Sequence, residues 1–206
     1  MSHKPTQRDQ ARALLLDGSL VRLRDLTGAG VSPETMARLV REGEVVRLAR
    51  GLYQLAEAMP DARRSIAEAS ALVPKGVVCL TSALQFHDLT LQMPSAIWMA
   101  IDRTSWKPKV DYPPIRFVRF SGHALTEGIK RHRIEGVDVP VFEPAKAIVD
   151  CFRYRNKIGL DIAIEGLREG LRTRQVTPDQ LWKFGQSGRV WSVMRPYVEA
   201  MVANGA

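Results

Sequence analysis

The stretch from Ser32 to Leu55 constrains the fold more tightly than any other. It reads Ser-Pro-Glu-Thr-Met-Ala-Arg-Leu-Val-Arg-Glu-Gly, then Glu-Val-Val-Arg-Leu-Ala-Arg-Gly-Leu-Tyr-Gln-Leu. A serine hydroxyl accepts from the free N–H groups of a helix's first turn, and a proline at the first helical position sacrifices no hydrogen bond, so Ser32-Pro33 opens a helix. Met36, Leu39 and Val40 recur at i, i+3 and i+4 and predict its buried stripe. Thr35, Arg38 and Arg41 remain for the outer face. Gly43 ends the helix, which at about ten residues is ~15 Å long, enough to cross a DNA major groove. Val45 to Leu55 then reads as two strands around Ala49-Arg50-Gly51, with Gly51 supplying the turn and Arg47 and Arg50 projecting. A capped helix followed by a basic hairpin is the second half of a winged helix-turn-helix.

The residues upstream fit the first half. Thr6 caps a helix running from Gln7 to about Asp17, with Ala11, Leu14 and Leu15 on one face, and Gly18 ends it. Leu20-Val21-Arg22 is extended, Leu23 to Thr27 is a short helix, and Gly28-Ala29-Gly30 turns the chain. Residues 1–56 are therefore expected to form a winged helix-turn-helix DNA-binding domain. In such a domain the wing tip follows a phosphate backbone or enters the minor groove. Taken singly, each arginine is more often an ordinary solvated side chain, and winged helices also serve as protein-binding modules. The order of elements favours DNA.

Charge supports an anionic partner without deciding the fold. The chain of 206 residues carries a formal net charge of +8, with 45% apolar residues, enough for a core. The excess is concentrated. Residues 103–133 hold eight Lys/Arg (Arg103, Lys107, Lys109, Arg116, Arg119, Lys130, Arg131 and Arg133) against two acidic residues. With Trp106 beside its lysines, this segment is a second candidate surface for a partner or nucleic acid. A solvated loop and strand face is its plainer reading. Cys79 and Cys151 lie far apart in apolar surroundings and are expected as core thiols in a reducing compartment. No apolar run reaches the ~18 residues of a membrane span. The N-terminus lacks an apolar signal core, so a cytoplasmic protein is expected.

Met59-Pro60-Asp61 marks the boundary to residues 57–206, which alternate short strands and helices. A helix is expected from Asp61 to Leu72, with Ile66, Ala69 and Leu72 on one side. The strands are Val77–Leu80, Ser95–Ile101, Ile115–Phe120 (Ile115 and Phe117 inward, with Val118 a further candidate) and one or two within 134–142. Thr81 or Ser82 caps a helix from Ala83 to His87. Four further helices follow: from Pro144 through Phe152, from Leu160 to Leu171 with Ile164, Leu167 and Leu171 buried, from Gln180 to Phe184 after a Thr177-Pro178-Asp179 cap-plus-proline start, and from Val190 to Val202. The class is α+β, with a mixed sheet in the middle and a helical last third.

Three stretches resemble the AbiEi-type antitoxins of type IV toxin–antitoxin systems. The wing Val46-Arg47-Leu48-Ala49-Arg50-Gly51-Leu52-Tyr53 is similar to theirs, as is the helix pattern before it. Leu80-Thr81-Ser82-Ala83-Leu84-Gln85-Phe86-His87-Asp88-Leu89 looks like their strand-to-helix segment. Val141-Phe142-Glu143-Pro144-Ala145-Lys146-Ala147-Ile148-Val149-Asp150-Cys151 resembles a segment usually of the form pERTLlD, with Lys146 where Arg is common and Ala in place of Thr. The resemblance covers about residues 6–155. It implies a transcriptional autorepressor that binds inverted repeats in double-stranded promoter DNA. It also implies an antitoxin domain that counteracts a nucleotidyltransferase toxin without requiring a stable complex. Thr35, Arg38 and Arg41 would meet the major groove, Arg47 and Arg50 the backbone or minor groove, and Tyr53 a phosphate.

The sequence holds no Gly-rich phosphate loop, HExxH, paired CxxC or GxSxG, and the four histidines lack metal-ligand spacing. No cofactor or metal is expected. A restriction-type nuclease would need Glu-x-Lys on a strand. The nearest candidate, Glu143-Pro144-Ala145-Lys146, has one residue too many and a strand-breaking proline, so Glu143, Lys146 and Asp150 read instead as a helix start with an i, i+4 pair. A non-enzyme is expected. A nuclease and a pure protein-interaction module stand as the alternatives.

Overall fold

In the computed structural model of the chain the described residues are 5–16, 20–49, 51–56, 62–110 and 112–203. The expected helix end at Asp17 and Gly18, the wing residue Arg50 and the Met59-Pro60-Asp61 boundary lie outside them. The protein is α+β with two sheets. It divides into two compact units, residues 1–74 with 133–139, and residues 75–132 with 140–206.

The first unit runs α1 (Gln7–Leu15), β1 (Val21–Arg22), α2 (Leu23–Gly28), α3 (Pro33–Arg41), β2 (Val45–Ala49), β3 (Leu52–Leu55) and α4 (Ala62–Leu72). The strands form an antiparallel sheet of order β1-β3-β2. Helix, strand, helix, helix and hairpin in this order make a winged helix-turn-helix. Thr6 and Asp9 close a reciprocal capping box on α1. Ala11 and Leu15 of α1, Leu26 of α2, Met36 and Leu39 of α3, and Val45 and Tyr53 of the wing share one core with Val31. Leu14 lies outside it, more than a third exposed, because the buried face of α1 is centred on the 11/15 pair. Helix α4 is buried nearly all round. Its Arg64, only 6% exposed, is neutralised by Glu135 at 3.2 Å, as a buried charge requires.

The remaining elements are β4 (Val77–Val78), α5 (Leu80–Phe86), β5 (Ile97–Asp102), β6 (Ile115–Phe120), α6 (His123–Thr126), β7 (Ile129–Ile134), β8 (Val137–Phe142), α7 (Pro144–Arg153), α8 (Arg155–Ile158), α9 (Leu160–Arg172), α10 (Pro178–Ser187) and α11 (Trp191–Ala203). The five-stranded sheet has the order β6-β5-β4-β8-β7. It is mixed, since β4 pairs antiparallel with β5 and parallel with β8, while β5 and β6 are parallel. The β7–β8 hairpin turns at Glu135-Gly136, both with positive φ, the pattern of a type I′ turn.

Several expectations shift. Helix α5 begins at Leu80 and takes no side-chain cap from Thr81 or Ser82. Both are buried inside it, and the Ser82 hydroxyl instead accepts from the Trp98 amide at 3.0 Å, tying α5 to β5. On β6, of Ile115, Phe117 and Val118 only Val118 is buried, and it is joined by Phe120. Phe120 sets that phase by stacking on Phe142 and Tyr154 at 5.7 and 5.5 Å. On α9, Ile164 is only half-buried, because the contact face is centred on Gly166 and Gly170. A Cβ there would lie 2.9 Å from Leu84 and from Ile148 respectively. The Thr177 capping box opens α10 with Pro178 in its first turn.

Candidate nucleic-acid interface

Helix α3 is positioned from two sides. Ser32 caps it, its hydroxyl accepting from the Thr35 amide at 3.2 Å. Gln7 of α1 braces the same turn, its Oε1 accepting from the Ser32 amide at 3.1 Å and from the Thr35 hydroxyl at 2.7 Å. This bond draws Thr35 inward to 9% exposure, so the expected outer face of Thr35, Arg38 and Arg41 needs correction. The exposed stripe is Glu34, Ala37, Arg38 and Arg41, at i, i+3, i+4 and i+7. An open groove runs along it, with Ser32 and Thr35 on one wall. Thr35 therefore orients the helix more than it presents a side chain. Glu34 and Ala37 were missed by pattern reading, although the same 3.6-residue period that buries Met36 and Leu39 predicts them.

These side chains match base edges and phosphates chemically. Arginine pairs with guanine edges or phosphate, a carboxylate accepts from cytosine N4, and an alanine methyl packs on the thymine methyl. Arg38 is held by Glu42 at 3.9 Å, with both side chains about half exposed. A surface pair of this kind is worth ~0–1 kcal/mol and yields readily to a phosphate. Arg8 of α1 contacts Glu44 and lies 4.0 Å from Glu42, and Arg12 lies 3.6 Å from Glu44. Carboxylates thus stand among the arginines at the C-terminal end of α3.

In the wing, Arg47 is exposed and sits opposite Tyr53, with a bulge between Arg47 and Ala49. Gly51 takes φ +72, and its carbonyl accepts from the Leu23 amide at 2.8 Å, which fastens the wing to the start of α2. The Tyr53 ring is 7% exposed and packs within the core cluster.

The basic segment 103–133 does not form one patch. Trp106, Lys107 and Lys109 lie on the loop after β5, and Arg116 and Arg119 on β6, at one edge of the sheet. Lys130 and Arg131 lie on β7, at the opposite edge. Four strand spacings of ~4.8 Å separate these edges by about 19 Å. Arg133 falls in the other compact unit. Arg119 is spent on structure, its Nη1 donating to the carbonyls of Arg103 at 2.5 Å and Ser105 at 3.1 Å. Lys130 lies 3.7 Å from Glu143, and Lys107 sits 5.6 Å over the Phe117 ring. Trp106 is 89% exposed.

Glu143 and Lys146 do not make a nuclease strand. Glu143 is the N-cap of α7, Pro144 is in its first turn, and Lys146 reaches forward to Asp150. That ion pair is buried on both sides, and the ammonium lies 4.5 Å from the Phe142 ring centre and 5.0 Å from that of Phe120. Burial pushes the Asp150 carboxyl up to about 6 against the pull of Lys146. Cys79 and Cys151 are buried free thiols, and burial raises both well above the usual thiol range, which makes them inert. Among the described residues no His, Cys, Asp and Glu side chains group as a metal site. No helix there is long and apolar enough to cross a membrane.

The fold and the exposed α3 stripe define an α+β protein that opens with a winged helix-turn-helix. Residues 9–56, the helices and wing just described, match the family of AbiEi antitoxin transcriptional regulators. A crystal structure of the RV2827C protein from Mycobacterium tuberculosis has a similar fold, with a TM-score of 0.67 over 98% of this chain and 79% of that chain, at 15% identity. No curated protein matches the sequence.

Proposed function

We propose that this protein is the autorepressor and antitoxin of a type IV toxin–antitoxin system. It binds inverted repeats in its own promoter through α3 and the wing, and it counteracts a nucleotidyltransferase toxin through its larger unit, without requiring a stable complex. It works in the cytoplasm and performs no catalysis of its own. The observation that carries the reading is the exposed Glu34, Ala37, Arg38 and Arg41 stripe on a helix braced by Gln7, with Arg47 exposed on the adjoining wing. The match of residues 9–56 to the AbiEi regulators supports it.

The test is promoter binding measured across salt concentration. Each phosphate contact contributes about 0.9 to the slope of log affinity against log salt. Removing Arg41, Arg47 or Arg50 is expected to flatten the slope by roughly one contact each. A slope unchanged in all three variants overturns the interface. Co-expression with a nucleotidyltransferase encoded beside this gene tests the antitoxin half, and failure to restore growth overturns it.

A further inference from the structure

Between β5 and β6 the larger unit carries a large aromatic side chain that its own packing does not use. Trp106 is 89% exposed, against 9% for Trp98 and 53% for Trp182. The backbone that leads into it is nonetheless pinned from both strands. The Arg119 guanidinium on β6 donates from Nη1 to the carbonyls of Arg103 at 2.5 Å and Ser105 at 3.1 Å. The Asp102 carboxylate at the end of β5 accepts from the Thr104 amide at 2.8 Å and from its hydroxyl at 2.5 Å. The Ser105 amide donates to the Asp102 carbonyl at 3.1 Å. A contact with the indole therefore has only a side chain to order, not a loop, which keeps the entropic cost of binding small. Tyr112, 61% exposed, lies on the same connection.

The neighbours of the ring decide what it meets. Arg103, Lys107 and Lys109 are exposed on the connection, and its one acidic residue is Asp111. The centre of a protein–protein interface is depleted of lysine, so an indole set between basic side chains is a poor anchor for another protein. Exposed aromatics interleaved with cations are instead the composition of a surface that follows a phosphate backbone and stacks on its bases. A duplex shows a protruding indole no open base face unless a base step is prised apart.

We infer that the β5–β6 connection binds an unpaired strand of nucleic acid, Trp106 stacking on a base while Lys107 and Lys109 meet phosphates. This site is separate from α3 and the wing, and it stands or falls independently of promoter binding.

The probes are ten-residue oligothymidylate and oligouridylate, titrated into the full chain at low salt and followed by tryptophan fluorescence and anisotropy. Saturable binding with quenched emission is expected. Trp106→Ala should weaken it by roughly 5- to 150-fold, the worth of one stacked base. Trp106→Phe should keep most of the affinity and lose most of the quenching, and Trp182→Ala on α10 should change neither. Lys107→Gln with Lys109→Gln should flatten the salt slope by about 0.7 per lysine. The tighter of the two strands identifies the partner as DNA or RNA. The variant Arg41→Ala with Arg47→Ala, impaired in promoter binding, should bind both probes like the parent. No saturation by roughly 100 µM strand, or parental affinity in Trp106→Ala, overturns the site. Loss of binding in the Arg41 and Arg47 variant alone places the strand on the winged helix and overturns it too. Equal affinity for a ten-base-pair duplex overturns the unpaired strand, and equal affinity for a polyglutamate peptide overturns the nucleic acid.

Discussion

Gln7 holds Thr35: the side-chain amide oxygen of the first residue of α1 accepts from the Thr35 hydroxyl at 2.7 Å and from the neighbouring Ser32 amide at 3.1 Å. One side chain thus fixes the start of α3 against α1. Thr35→Val removes one of these bonds and is expected to cost about 1 kcal/mol, while Gln7→Leu removes both and costs roughly 1–3 kcal/mol. Urea unfolding measures both. Equal stability of Gln7→Leu and the parent would show that the bridge holds nothing.

Glu34 stands in the exposed stripe of α3 where its negative charge is unfavourable to phosphate. If α3 enters the major groove as proposed, a carboxylate there would read a base, accepting from cytosine N4. Glu34→Ala should relax discrimination at one base pair by about 1–3 kcal/mol while leaving the salt slope intact. Binding measured against a set of single-base operator variants separates this from the arginine substitutions. Undiminished discrimination at every position would leave Glu34 without a reading role.

Lys146 and Asp150 neutralise each other inside α7, where removing either leaves a buried charge. Lys146→Met or Asp150→Asn alone should destabilise by about 3–5 kcal/mol, whereas Lys146→Met with Asp150→Leu should be near neutral or stabilising. A double-mutant cycle in denaturant checks this. Additive losses would mean the pair is not coupled.

His87 ends α5, and its Nε2–H donates to the Phe142 carbonyl at 2.8 Å. Burial lowers its pKa below the ordinary value of 6.5, so the unfolded chain binds the proton more readily. The stability contributed by neutral His87 is present above pH 6.5 and is lost as pH falls through the lowered folded value. Asp150 acts oppositely. Its carboxyl is raised to about 6, so its contribution is largest at low pH and fades as pH rises towards 6. Because both titrate in one window, the comparison needed is with His87→Gln, which keeps an N–H donor and the Asp150 contribution. Between pH 7 and 5 the parent should lose more stability than His87→Gln. Parallel curves would show that His87 does not titrate on unfolding.

Where the physics is local, the sequence carried it. The caps at Thr6, Ser32 and Thr177, Pro33 and Pro178 in the first turns of their helices, the Met36/Leu39 stripe and the glycine turn at Gly51 each depend on residues a few positions apart. Together they determined the winged helix-turn-helix and the α+β class. Pairings between distant segments were decided only by the tertiary structure. Gln7 turned Thr35 inward, and packing drew Tyr53 into the core. Phe142 and Tyr154 set the phase of β6. The order of the sheet divided one basic run in the sequence between two edges. A periodic pattern records which face of an element is buried. It does not record what that face is buried against, and at this protein's sites that second fact assigns the role of each side chain.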